Sequence, residues 1–212
     1  MGKNCPKIHK YVQEMPVIAV TGDLCSGKST VIKFFKERGA KVLSTDKLVH
    51  SCYKDKKGDV YRKVRKYFPD VFDKKGNISR KKLAHTVFTD RNLLIKLENI
   101  VHPKVIKDLK TWVDSKKSKK GLYVVEVPFL FEKKLDNLFD AVIFIEASRS
   151  DIIKRAVYKF GISEKQAKAR IANFMPAREK IKRSQFIIYN DSNMPKLKRK
   201  AGVVWEKLEK MQ

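Results

Sequence analysis

An α/β fold is what this sequence predicts, and three observations predict it. A strand-like run, Val17-Ile18-Ala19-Val20-Thr21, enters a glycine-bearing loop and leaves it into the amphipathic stretch Val31-Ile32-Lys33-Phe34-Phe35-Lys36. Further short apolar runs recur at 41–44, 122–127, 141–147 and 185–190, separated by segments of helical spacing. Between the second and third runs lies a long block, 51–120, that is helical and charged and carries no strand signal. Strands alternating with helices form sheets covered on both faces, whose strands read as continuous apolar runs. The strand-free block is then a helical insertion on that core.

The first loop carries the strongest chemical signal. Gly22-Asp23-Leu24-Cys25-Ser26-Gly27-Lys28-Ser29 fits G-x-x-x-x-G-K-[ST], with Thr30 following, and it has the strand-before, helix-after context that the phosphate-binding loop requires. Its successive backbone N–H groups form an anion nest, and the helix that follows adds the positive end of its dipole. Lys28 reaches β- and γ-phosphates, and the Ser29 hydroxyl is a ligand for Mg²⁺. The alternative is a glycine turn that matches by chance, against which both flanks speak. A nucleoside triphosphate is the predicted ligand.

The remaining elements follow in order. Gly39 ends the first helix, and Lys41–Ser44 is a short second strand. Thr45-Asp46 is read as capping a helix that begins at Lys47. Asp46 thus sits at the carboxyl edge of a strand, where open α/β sheets place their ligands. Spacing leaves two roles for it, an N-cap or a carboxylate that takes a proton from a hydroxyl or holds Mg²⁺ through water. His50 falls one helical turn later on the same side. In the insertion, Val60, Tyr61, Val64, Tyr67 and Phe68 form an apolar stripe ended by Pro69, and 73–77 is a turn. Ser79 caps a helix from Arg80, and Asp90 caps one over Arg91–Val101. His102-Pro103 then opens a further helix through Trp112, before the basic loop 115–121.

Leu122–Val127 is broken only by Glu126, which is either a Mg²⁺-directed carboxylate or an acid reaching solvent at a strand end. After the strand Ala141–Ala147, Ser148 or Ser150 starts a helix with Lys154, Arg155 and Lys159. Ser163-x-x-Gln166 is a capping-box match that opens a helix running to Pro176. These two basic helices are either a lid that delivers arginine to a transferring phosphate or a solvated surface hairpin. Gln185–Asn190 is the last strand, and the closing helix, Leu197–Met211, packs through Val203, Val204 and Leu208 with Trp205 nearby.

Composition narrows the class. The 212 residues include 49 Lys+Arg against 23 Asp+Glu, a net charge of +26. That charge is compatible with nucleic-acid binding, with a solvated lysine-rich surface or with steering of small polyphosphates. The lysines are dispersed and no zinc-finger or RNA-binding spacing occurs, so nucleic acid is disfavoured. No apolar run is long enough to span a membrane, residues 1–15 have no apolar leader core, and Pro6 stands where myristoylation wants Ser or Thr. Three scattered cysteines, Cys5, Cys25 and Cys52, point to a reducing, cytoplasmic setting.

Over Val17–Leu208 the order of landmarks resembles the dephospho-CoA kinase family. Besides the loop, LSTDKLVH around Asp46 is similar to that family's D-A-D segment, and LENIVHPKV (97–105) to its L-x-x-I-x-H-P-x-V. VEVPFLFE (125–132) is similar to V-x-V-P-L-L-F-E, and GISEKQAKARIANFMP (161–176) to its lid. The resemblance implies a P-loop NTPase-type three-layer fold on a parallel five-stranded sheet, with a helical substrate-binding insertion and a helical lid. It implies an N-terminal extension (1–15), a nucleotide-binding core (16–50 with 121–147 and 184–212), a helical domain for the CoA portion (51–120) and a lid (148–183).

The implied reaction moves the γ-phosphate of ATP, with Mg²⁺, to the 3′-hydroxyl of dephospho-CoA in a monomer or small homo-oligomer. Asp46 would be the base, with Lys28 and Arg155 as its catalytic partners. Residues 23–30 and Arg170 would bind ATP, and His50, His102 and Glu126 would line the acceptor side. Ser29 would hold Mg²⁺, with Asp46 or Glu126 acting through water. The chain departs from the pattern at Asp23 and Cys25, where the family has glycines, and at Ser44, His50, Lys159 and Phe174. Asp23 is acceptable only if it turns to solvent or to a basic partner. Other readings of the same inventory are a nucleoside or nucleotide kinase, a nucleic-acid-binding ATPase and a regulatory relative that has lost catalysis.

Overall fold

The computed structural model describes residues 16–116 and 119–211. The expected N-terminal extension, with Cys5 and the readings that rest on it, lies outside them, as do residues 117 and 118 of the basic loop. In chain order the strands are β1 (Val17–Gly22), β2 (Lys41–Ser44), β3 (Tyr123–Glu126), β4 (Ala141–Glu146) and β5 (Phe186–Tyr189). The helices are α1 (Lys28–Glu37), α2 (Thr45–Lys54), α3 (Asp59–Tyr67), α4 (Arg80–Thr89), α5 (Arg91–Asp114), α6 (Arg149–Phe160), α7 (Glu164–Ile171), α8 (Ala177–Lys182) and α9 (Met194–Glu209).

The five strands form one parallel sheet in the order β2-β3-β1-β4-β5. Burial explains the order. Every residue of β1 is buried, and β3 and β4 are buried except for their terminal glutamates. The half-exposed β2 and β5 take the edges. Ile18, Val20, Val124, Ile143 and Ile145 point to the face covered by α1 and α9, through Phe35, Leu197, Ala201, Val204 and Leu208. Val17, Ala19, Val125 and Val142 point to the other face and meet Leu109, Val113, Leu130 and Phe131. This alternation is the period of two that a strand imposes, and the result is three layers. A third apolar cluster holds α2–α5 together through Val64, Leu83, Leu97 and Val101. A fourth joins α6 and α7 to the first loop, where Leu24 and Cys25 pack against Ala147, Ile152, Ala156 and Ile171. Among the described residues, no helix is long and apolar enough to cross a membrane.

Local chemistry sets most helix starts. Ser79, Asp90, Ser148, Ser163 and Asn193 each accept a backbone N–H of their helix's first turn, and at α7 the capping box is complete. Four expectations are corrected. First, α2 starts at Thr45 and its N-cap is Ser44, so Asp46 lies inside the first turn with no capping bond to make. Second, α5 runs unbroken through Pro103. A proline inside a helix costs about 3 kcal/mol, whereas each fully buried aliphatic side chain returns roughly 1.5–3 kcal/mol. Leu97, Val101 and Val105 are buried before and after it, and Leu109 and Val113 beyond, so packing wins. Third, α7 ends at Ile171, well before Pro176, and α8 follows as a separate short helix. Fourth, Val203 and Tyr67 face solvent, at 51% and 42% exposure. Leu197, Ala201, Val204, Trp205 and Leu208 form the buried stripe of α9.

Candidate active site

The loop between β1 and α1 is shaped by its two terminal glycines. A side chain at Gly22 would put Cβ 2.6 Å from the Ile145 carbonyl oxygen. At Gly27, where φ is +105°, a Cβ would fall 2.5 Å from Asn190 Nδ2. Asn190, buried just past β5, donates from that nitrogen to the Ser26 carbonyl at 2.8 Å, so it has no room to yield. Gly27→Ala should therefore weaken ATP binding roughly 10–100-fold, the equivalent of 1–3 kcal/mol of backbone strain, and a titration of ATP into the variant measures it. Cys25 also has positive φ, +56°, a conformation uncommon outside glycine.

Lys28 opens α1 and is nine-tenths buried. Its Nζ donates to the Gly22 and Asp23 carbonyls, both at 2.8 Å. Burial pushes its pKa below the usual lysine value, and Glu126 and Asp23 pull the other way. These two carboxylates thus share the Lys28 environment. The Glu126 backbone carbonyl accepts the Thr45 hydroxyl at 3.1 Å, which ties the end of β3 to the start of α2. Arg155 Nη1, from α6, lies 3.5 Å from the Cys25 carbonyl, at the loop's edge. Ser29 is exposed at the loop mouth.

Asp46, also exposed, lines an open cleft of about 410 Å³ with Lys47, His50, Ser51, Lys54 and Arg80. Arg80 Nη1 is 2.7 Å from His50 Nε2. A guanidinium has no lone pair to offer, so His50 Nε2 accepts and the ring proton sits on Nδ1. The cleft thus presents one carboxylate among several cations, which suits an anionic acceptor carrying a hydroxyl. His102 lies midway along α5, half-buried, with Nδ1 4.0 Å from Glu98 Oε2, and Lys133 Nζ reaches the same oxygen at 3.3 Å. Burial, and then Lys133, lower its pKa, against Glu98. Arg170 stands over the rings of Phe88 and Phe160, at 5.0 and 5.7 Å, facing α4 of the insertion.

Three residues at this site escaped the sequence reading. Asn190 sits at a strand's carboxyl end, a place that should have flagged it. Arg80 was read only as the start of a helix. Lys180, in α8, is fully buried and sends its Nζ 2.7 Å to Asp23 Oδ1. The basic partner that Asp23 required therefore exists.

Comparisons with known proteins bear on the family and the fold. A family model described as dephospho-CoA kinase matches residues 16–196. The dephospho-CoA kinase of Aquifex aeolicus is 36% identical over 195 residues, covering 92% of this chain and 98% of that protein. Among solved structures, a Thermus thermophilus protein superposes with a TM-score of 0.73 at 29% identity, covering 92% and 98% of the two chains. The dephospho-CoA kinase from Campylobacter jejuni gives 0.68 at 26% identity, covering 92% and 97%. With the phosphate loop, the strand-end acid and the helical insertion in one parallel α/β frame, the chain belongs to the dephospho-CoA kinase family.

Proposed function

We propose that this protein transfers the γ-phosphoryl group of ATP to the 3′-hydroxyl of dephospho-CoA, yielding coenzyme A and ADP, the last step of coenzyme A synthesis. The observation that carries the reading is the position of Asp46: free of any capping duty, it faces a cationic cleft beside the strand ends that also bear the phosphate loop. Phosphoryl transfer asks a protein mainly for positioning and charge stabilisation, and each role has a residue. The loop N–H groups and Lys28 hold the polyphosphate, while Asp46 orients the acceptor hydroxyl and takes its proton. Arg155, against the loop, counters charge that develops in transfer. His50 and Arg80 hold the acceptor's anionic portion, while Glu126 beside Lys28 and His102 on α5 lie outside the lining of that cleft.

Among the described residues, no group of three or more His, Cys, Asp and Glu side chains is placed to hold a metal by itself. Mg²⁺ takes one or two protein oxygens and completes its shell with phosphate and water, and the exposed Ser29 hydroxyl, next to Lys28, is an oxygen of that kind. Ser29, with Asp46 or Glu126 through water, would supply those oxygens. When bound, the ion neutralises the β- and γ-phosphate oxygens. We place the activity in the cytoplasm, where the free thiols Cys25 and Cys52 stay reduced.

The test is a coupled assay with ATP and Mg²⁺ in which dephospho-CoA competes against a panel of nucleosides and nucleoside monophosphates. Dephospho-CoA should give a kcat/KM at least about 100-fold above any of the panel, the discrimination expected of a site built for its polar groups. Equal use of a nucleoside would favour the nucleoside-kinase reading. Hydrolysis stimulated by polynucleotide, with steep salt dependence, would favour the nucleic-acid ATPase.

A further inference from the structure

Asp23 brings a carboxylate into the turn that must receive the most highly charged part of ATP, and three segments distant in sequence answer it. Lys180, on α8, has no exposed side-chain surface, and its Nζ lies 2.7 Å from Asp23 Oδ1 and 3.1 Å from Glu132 Oε1. Glu132, on the segment after β3, also accepts the Met175 backbone N–H at 2.7 Å. Phe174 covers the ammonium group at 4.7 Å from the ring centre and stacks on Phe129 at 4.6 Å and 11°. One buried cation thus joins the loop, the segment after β3 and the return from α7. Among the described residues Glu132 Oε2 is buried without a hydrogen-bond partner, and the ammonium of Lys180 faces two carboxylates, Asp23 and Glu132. Lys28 feels both neighbours, Asp23 raising its pKa and Lys180 lowering it, which places the pair within electrostatic reach of the phosphate-binding lysine.

We propose that Lys180 is a positioning residue for nucleotide binding: acting through Asp23, it cancels the carboxylate that this chain carries in its phosphate loop and holds that side chain away from the incoming polyphosphate. Without the pairing, an Asp23 carboxylate freed to turn into the nest would oppose the γ- and β-phosphates at contact range, where the low local dielectric makes like-charge repulsion strong. The pairing also explains how the loop tolerates an acid where the family pattern has glycine. Removing Lys180 alone takes the cation from two largely enclosed carboxylates, each 15% exposed, whereas removing Asp23 as well leaves one.

The inference rests on the reading of the loop as an ATP site, and the experiment separates the two. ATP with Mg²⁺ is titrated calorimetrically into the full-length protein and into D23N, K180M and D23N/K180M, and KM is measured for ATP and for dephospho-CoA. K180M should weaken ATP binding at least tenfold and leave the dephospho-CoA KM within twofold. D23N alone should tighten ATP binding about threefold. In the K180M background the gain from D23N should be at least tenfold larger than in the unaltered protein. A residue that merely supports the fold would lower the melting temperature without choosing ATP over the acceptor. Should K180M not fold, E132Q/K180M, which leaves Asp23 as the lone uncompensated acid, takes its place with E132Q as reference. Equal gains from D23N in both backgrounds, or a K180M variant that binds ATP normally, would overturn the inference. Failure of the unaltered protein to bind ATP would instead overturn the function proposed above.

Discussion

Lys28→Ala is expected to lower kcat/KM for ATP by about a thousandfold while the protein stays folded, the upper end of what loss of one charged transition-state donor costs. The Nζ that disappears is buried, holds two loop carbonyls at 2.8 Å and is the loop's own cation. Its loss also takes the donor from those two carbonyls, at about 1–3 kcal/mol for a buried acceptor left unsatisfied, so the melting temperature should fall and the assay is run well below it. Because kcat/KM reports the free enzyme, the unaltered protein should also show a basic limb. The charged form of Lys28 is disfavoured by burial, so kcat/KM for ATP falls as pH rises through a pKa below the ordinary lysine value of 10.5. A pH–rate profile together with calorimetric titration of ATP checks both points. A Lys28→Ala variant with normal turnover would remove the loop from the mechanism.

Asp46→Asn should lower kcat about 100-fold, within the range ascribed to a single general base, and leave the Kd for ATP unchanged. The expectation depends on the start of α2. Had Asp46 been the N-cap, its replacement by Asn would have been nearly neutral, since Asn caps as well as Asp does. With Ser44 in that place, the carboxylate's structural share is its charge in the first turn of α2, worth about 0.3–1 kcal/mol when exposed, and its loss should be felt mainly in the rate. Single-turnover measurement with saturating ATP isolates the step. Unchanged turnover in Asp46→Asn would withdraw the base assignment.

The parts of this protein that could be read in advance were those whose physics is local. The phosphate loop is contiguous, so glycine spacing, the lysine and the flanking strand and helix declare it together. Each strand announced itself as a short apolar run, and the caps at Ser79, Asp90, Ser148 and Ser163 lie beside the helices they start. Pro103 misled because a local rule was outweighed by burial along both halves of α5. Arg80, Lys180 and Asn190 were hidden for a related reason. Their partners His50, Asp23 and Ser26 stand 30, 157 and 164 positions away in the chain. No periodicity encodes such pairings: the packing of α2 against the other helices of the insertion makes the first, and the parallel frame makes the other two.

The unbroken α5 has a mechanical consequence. Its first half is embedded among the helices that carry the acceptor cleft, and its second half, from Leu109 to Val113, is embedded beneath the sheet. Leu48 of α2 touches both clusters, so the two bodies are riveted at a second point. A strut clamped at both ends resists bending, which couples the acceptor cleft to the sheet. We propose that any closing stroke falls to α6 and α7, which meet the phosphate loop through the small cluster around Leu24 and Cys25 and α4 through Arg170 over Phe88. On that proposal, nucleotide arriving at the turn would meet α6 and α7 through Leu24 and Cys25, while the alcohol would sit on the side of the strut.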